Sequence, residues 1–206
     1  MLTDRLTCTR CGPQFGLILL ADRMHDRLVI DGVLGCPNCR DNYPVQGGFG
    51  DLRAPPRTQA AEGRAGEPGE VDQEEAYRLA ALMGVAEGPG TLVLVGAVAR
   101  HANALAEIVG GVEIVAVDGD MSRWPETPHV SRMVSRPGLP FYSETLRAAA
   151  VDGALGAVWV KEAARVTARL GRVVVTDATD EAGAVLEEAG LTVLASEAGT
   201  IVAARA

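Results

Sequence analysis

The chain has 206 residues, 48% of them hydrophobic but only 4% aromatic, which allows one domain of ordinary size plus a small one around a core of Val, Leu and Ala. No stretch approaches the roughly 20 apolar residues of a membrane span, and the opening MLTDRLTCTRC lacks the layout of a signal peptide, so a cytoplasmic location is expected. The formal charge of −8 is uneven: residues 1–53 carry six Arg and six Asp, leaving 13 basic against 21 acidic for the remainder, an acidic surface that disfavours direct contact with a nucleic-acid backbone.

All four cysteines lie in residues 1–53, as Cys8-x-x-Cys11 and Cys36-x-x-Cys39. Two such pairs a hairpin's length apart are the ligand pattern of a structural zinc ribbon, because each C-x-x-C turn aims two thiolates at one ion and two turns close a tetrahedron. Gly12 and Pro37 suit those tight turns. Paired disulfides compete but fit a cytosolic setting poorly, and a redox C-x-x-C needs only one pair. FGLILL and LVI are expected to form the hairpin, with the polar ADRMHDR near its tip and His25 a solvated loop residue.

Residues 54–70, APPRTQAAEGRAGEPGE, are poor in large apolar residues and read as a flexible tether. An α/β domain is expected over residues 71–206. Asp72 with Glu75 three residues on is a capping-box arrangement, Ala76, Leu79, Ala80 and Met83 share one helical face, and Gly84 stops the helix. Thr91 to Asp118 then reads as strand (Leu92–Val95), Gly96 at a turn, helix, the Gly110-Gly111 stop, and a second strand (Val112–Val117) ending in an acid. That order is the nucleotide-binding half of a doubly wound fold, in which the glycine admits a cofactor and the acid meets a ribose hydroxyl. Further on, a short strand is expected near His129–Val134 and another at about Leu146–Val151. Leu155, Val158, Trp159, Glu162, Val166 and Leu170 keep helical spacing, with Arg165 and Arg169 in the last turns. RVVVTD, a helix over Glu181–Ala189, and a closing pair LTVLA and GTIVAARA complete a mainly parallel sheet.

The run CPNCRDNYPVQGGFGDLR after an upstream C-x-x-C resembles the zinc-ribbon family of tRNA-methyltransferase activator subunits, at Cys36, Pro37, Cys39, Tyr43, Pro44, Val45, Gly47 and Gly48. The resemblance covers about the first quarter of the chain. It implies a ribbon that binds and stabilises a methyltransferase domain, often by strand pairing. The chain departs from that family at Gly-Phe-Gly-Asp, where an apolar run is usual. Residues 71–206 in turn resemble a class I S-adenosylmethionine (SAM)-dependent methyltransferase, through LPFYSETLRAAAVDGAL, EAARVTARLGRVVVTD and EEAGLTVLASEAGTIVAARA.

The resemblance implies SAM held by an acid near the end of the first strand and by Gly-x-Gly-x-Gly after it. Aligned on Gly96, those places fall on Leu94, Val98 and Arg100, and only Gly96 survives. Leu94 cannot accept hydrogen bonds, Val98 puts a branched side chain where backbone approach needs bare hydrogen, and Arg100 disfavours positive φ. Ser135-Arg136-Pro137-Gly138 stands where the adenine contact is usual. Asp118 keeps the ribose position, though a strand-end turn acid explains it equally; Asp152-Gly153 matches the tip of the fourth strand, where a tight turn is the plainer account. The expectation is therefore an α/β fold, a doubly wound mainly parallel sheet of class I methyltransferase-like Rossmann type, with a small N-terminal zinc-ribbon β domain (1–53, tether 54–70, α/β 71–206). Structural zinc would sit on Cys8, Cys11, Cys36 and Cys39, with vestigial cofactor contacts at Gly96 and Asp118 and no assignable catalytic residue. The expected role is a non-catalytic protein-binding or scaffolding subunit, by a protein partner or self-association and without a membrane. The alternative is an active SAM-dependent methyltransferase with a divergent loop, acting on RNA, protein or a small molecule; a binder of some other nucleotide is a third reading.

Overall fold

The computed structural model describes residues 2–26, 28–57, 63–69 and 71–206; within the expected tether, 58–62 and 70 lie outside the described residues. The cysteine region forms β1 (Thr7–Cys8), β2 (Gly12–Gly16), β3 (Ile18–His25), β4 (Leu28–Gly35), β5 (Asn42–Gln46) and β6 (Phe49–Arg53). Then follow α1 (Gln73–Met83), β7 (Gly90–Val95), α2 (Ala102–Ile108), β8 (Val112–Val117), β9 (Val130–Arg136) and β10 (Leu146–Asp152). The end of the chain supplies α3 (Ala157–Val166), β11 (Thr167–Thr176), α4 (Ala182–Glu188), β12 (Leu191–Glu197) and β13 (Thr200–Arg205).

β1 and β2 pair with each other, and the other eleven strands make one mixed sheet in the order β12-β13-β11-β10-β7-β8-β9-β6-β5-β4-β3. From β11 through to β6 all pairings are parallel, while both flanks are antiparallel. Successive residues of a strand face opposite sides. On β7, Leu92 and Leu94 join the cluster under α1 and α2 (Leu79, Met83, Leu105), whereas Val93 and Val95 join the one under α3 and α4 (Val160, Ala163, Leu186). Buried on both faces, the central strands are near-continuous apolar runs, as a helix-covered parallel sheet requires.

The apolar face and stop of α1 are as expected: Ala76, Leu79, Ala80 and Met83 are buried, and Gly84 ends the helix at φ 68. The Asp72 half of the capping box forms, its carboxylate accepting from the Glu74 amide at 2.8 Å. Glu75 does not reach back and instead lies 3.9 Å from His101. Two expectations are corrected. ADRMH extends β3 and is no loop tip; it is polar because this edge strand is exposed, with the turn following at Asp26. The helical spacing expected from Leu155 to Leu170 breaks at Val166. Leu146 pairs with Thr167 and Ala148 with Arg172, so 168–171 bulge out of the ladder, and Leu170 stands 87% exposed. Val158, on the expected apolar face, is exposed too, while Trp159 packs against the core.

The last strand of the cysteine region, β6, joins the parallel part of the sheet within the same chain. Gly47 and Gly48, at φ 54 and 70, make the tight hairpin turn from β5 to β6 that needs left-handed backbone. β6 then pairs in parallel with β9, from Phe49 opposite Arg132 to Arg53 opposite Arg136. The Gly-Phe-Gly-Asp departure thus lies at the junction with the chain's own α/β sheet. No α-helix lies in the connection from β9 to β10, and Leu6, Tyr43, Leu139 and Phe141 share the core on that face. Leu6 bridges Phe141, the Thr7 amide donates to the Pro140 carbonyl at 2.9 Å, and Arg165 fastens the same loop by donating to the carbonyls of Leu139 and Phe141. Glu162, the lone polar residue on its helical face, pairs with Arg165 and accepts from the Leu139 amide at 2.8 Å. Among the described residues no helix is long and apolar enough to cross a membrane.

Candidate functional site

Two places bring together the residues singled out by the sequence. The first is the cysteine cluster. Cys8 and Cys11 flank the tight turn between β1 and β2, whose Gly12 takes φ 98. Cys36 and Cys39 flank the knuckle between β4 and β5, closed by the Arg40 amide on the Cys36 carbonyl. The four Sγ atoms lie within 4.8 Å of one another. The Cys8–Cys39 and Cys11–Cys36 separations are 3.7 and 3.9 Å, far beyond a disulfide bond and close to the edge of about 3.8 Å of a thiolate tetrahedron with metal–sulfur bonds of about 2.3 Å. The donor set therefore fits a closed four-coordinate metal. Around it, Tyr43 is wholly buried with its hydroxyl 3.2 Å from Cys8 Sγ, the Cys11 amide donates to Cys8 Sγ, and Asn38 Nδ2 donates to Cys11 Sγ. Burial pushes the Cys36 and Cys39 thiols up. At Cys8 burial acts in the same sense, but the Tyr43 hydroxyl and the amides of Cys11 and Arg10 outweigh it and bring the thiol down to about 7. His25 is at the far end of β3 beside Asp26 and outside the cluster.

The second place is the crevice at the carboxyl ends of β7, β8 and β10, where open α/β sheets bind ligands. Gly96 is where expected, at φ 77, but the protein itself needs it there. A Cβ would come 2.8 Å from Leu155 Cδ1 and 2.9 Å from Asp152 Cβ. The chain goes directly into a 3-10 turn over Gly96–His101, without an open loop. Leu94 is fully buried within β7, and Val98 is buried in the α1/α2 cluster.

Asp118 and Asp152 are 6% and 0% exposed. Neither carboxylate faces an empty space. Asp118 accepts from the Asp120 amide at 2.8 Å and, through both oxygens, from the Arg64 amide at 3.1 and 2.9 Å. Burial raises the Asp118 carboxyl above its ordinary value, and the amides of Asp120, Arg64 and Ala65 oppose that rise. Asp152 accepts from the Ala154 amide at 3.0 Å and the Ala97 amide at 3.3 Å, and is ion-paired with the Arg64 guanidinium. The Gly66 amide donates to Asp120 at 2.9 Å, while the Gly66 carbonyl accepts from the Trp124 indole at 3.1 Å and the Arg64 carbonyl from Arg100 at 3.2 Å. Ala65 is buried in the same apolar cluster as Val98, Met121 and Trp124. Residues 63–66, Gly-Arg-Ala-Gly, thus lie across the three strand tips.

Sequence reasoning missed Arg64, Asp120 and Arg132. Arg132 is a buried β9 residue whose guanidinium donates to the carbonyls of Trp124, Met121 and, at 2.7 Å, Gly47 of the ribbon turn. A lone Arg between small residues, and an Arg inside an expected strand, were the available signals.

No family model and no curated protein matches the chain. Solved structures do match. A geranyl diphosphate methyltransferase in complex with SAM is 13% identical, with 72% of this chain and 98% of that one covered and a TM-score of 0.51. A complex of the Haloferax volcanii Trm112 methyltransferase activator with a methyltransferase is 18% identical over 60% and 71% of the two chains, at a TM-score of 0.47. A Burkholderia thailandensis 1,6-didemethyltoxoflavin-N1-methyltransferase with bound S-adenosylhomocysteine is 16% identical over 64% and 76%, at 0.44. With its strand order, mixed sheet and four-cysteine cluster, the chain carries a methyltransferase-like α/β fold of class I, joined to a metal-competent cysteine module.

Proposed function

We propose that this protein is a non-catalytic, methyltransferase-shaped binding subunit, with zinc held by Cys8, Cys11, Cys36 and Cys39 as folding glue and its cofactor position at Gly96 and Asp118 vestigial. One observation carries the reading: the two strand-tip carboxylates already take the chain's own amides and guanidinium. Beside them, the chain enters a 3-10 turn straight after Gly96, and Val98 is buried in the apolar cluster under α1 and α2 in place of an open glycine loop. The closed thiolate set leaves no open coordination position, so the metal would act in folding and not as a Lewis acid. The activator-like ribbon serves its own sheet through the β6–β9 ladder.

Calorimetry with SAM and with S-adenosylhomocysteine tests this on the full chain. No heat of binding is expected up to about millimolar ligand; micromolar binding of either would establish a cofactor site and sink the non-catalytic reading. Metal analysis should return about one zinc per chain.

A further inference from the structure

The segment across the crevice is held as a ligand is held. Four of its contacts use backbone: the Arg64 amide on Asp118, the Arg64 carbonyl accepting from Arg100, the Gly66 amide on Asp120, and the Gly66 carbonyl accepting from the Trp124 indole. One uses a side chain, the Arg64 guanidinium on Asp152. Small residues are demanded on both sides. A Cβ on Gly63 would lie 2.0 Å from Asp120 Cγ, and Gly66 takes φ 80. Ala65 is buried against the α/β core. The recognised pattern is therefore a short run of small residues carrying one arginine and turning at its last glycine.

Electrostatics favours the same ligand. Asp118, Asp152 and Asp177 all act on Arg64 and hold its guanidinium firmly charged, the Asp152 hydrogen bond foremost. A wholly buried carboxylate such as Asp152 is costly without a cation beside it. Arg64 itself is not entombed, since its side chain is 43% exposed. A guanidinium arriving from outside could reach the same carboxylate along the same path.

From this geometry we propose that the crevice is a peptide-binding cleft selective for arginine. Its resident ligand is the chain's own Gly63–Gly66, and it exchanges that segment for a glycine-flanked, arginine-bearing segment of a partner protein. This rests on the non-catalytic reading above and supplies its binding site. Asp152 selects the guanidinium, Asp118 and Asp120 read backbone amides, and Trp124 reads a carbonyl. Direct competition with residues 63–66 makes the free protein self-covered.

Hydrogen exchange on the wild-type chain, with an Arg64→Ala variant beside it, tests the cleft. In the wild type the Arg64 and Gly66 amides should exchange at least about tenfold slower than free chain, and Arg64→Ala should abolish that protection. Millimolar acetyl-Gly-Arg-Ala-Gly-amide should raise the melting temperature of Arg64→Ala and do so less in the wild type, while the same peptide with citrulline for arginine should do nothing. Free-chain exchange of those amides in the wild type would overturn the proposal, as would a variant indifferent to the arginine peptide or equally responsive to the citrulline one. SAM separates the two readings. Micromolar binding by the wild type defeats the non-catalytic assignment and leaves the peptide measurements to judge the cleft. Binding only by Arg64→Ala, without a peptide response, replaces the cleft with a cover over a cofactor site.

Discussion

At the scale of single residues, the crevice shows how a surviving motif residue can have a new reason to be there. Gly96 reads as a cofactor glycine in the sequence, yet its positive φ and the closeness of Asp152 and Leu155 already exclude any side chain. Gly96→Ala should therefore cost about 2–4 kcal/mol, from left-handed backbone and overpacking together, as read by urea denaturation without any cofactor. His101 offers a pH signature. Burial lowers its pKa, Glu75 opposes that, and its Nδ1 has no hydrogen-bond partner. The unfolded chain then takes up this proton near pH 6.5 while the native chain does not. Stability should fall as pH drops from about 6.5 to the depressed native value and then level off from this group, and His101→Leu should flatten that slope. Asp31 and Asp51 act in a separate window. The Gly47 amide lowers Asp31, and Arg53 lowers Asp51 against the effect of burial. Their contribution is present above about pH 4 and disappears only under stronger acid.

At the scale of elements, local pattern was legible and long-range pairing was not. The apolar face of α1, the alternation on β7 and the two C-x-x-C knuckles are written in spacings of two to four residues, so the sequence shows them directly. The end of α3 was misplaced because Leu170 continues the helical period by coincidence, and only pairing with β10 makes Thr167 extended. Arg64 sits in a composition that reads as tether, and its partners are Asp118 and Asp152, 54 and 88 residues away. Arg132 was invisible for the same reason, since its acceptors include a carbonyl 85 residues distant in the ribbon turn. That side chain ties β9 to the turn between β5 and β6 and to the 3-10 segment after β8. Arg132→Met should keep much of the volume but leave buried carbonyls without a donor, costing about 2–4 kcal/mol in denaturant titrations. Faster amide exchange should appear in β6 as well as β9.

At the scale of the molecule, the cysteine region and residues 71–206 share one sheet and one buried cluster, which includes Cys8, Cys36, Tyr43, Leu139 and Phe141. With zinc at the cysteines as proposed, its removal should be felt well beyond residues 1–53. Chelation is expected to lower the main melting transition by roughly 10–20 °C, the equivalent of about 5 kcal/mol for a chain of this length. Calorimetry should show the whole transition shifting, and an unaltered main peak would mean the two units melt independently. The fold class could be read from the alternation of strands and helices, but the site could not, because what fills the crevice comes from a stretch with no periodicity at all.

A β6–β9 ladder made within one polypeptide has a consequence for mass action. A strand module on a separate chain would be subject to dissociation, competition and unequal synthesis; here the ratio is fixed at translation, and the local concentration of one part around the other does not depend on how much protein is present. Thousandfold dilution should leave the β6–β9 pairing intact, and no titration of a free copy of residues 1–53 should displace the one the chain carries.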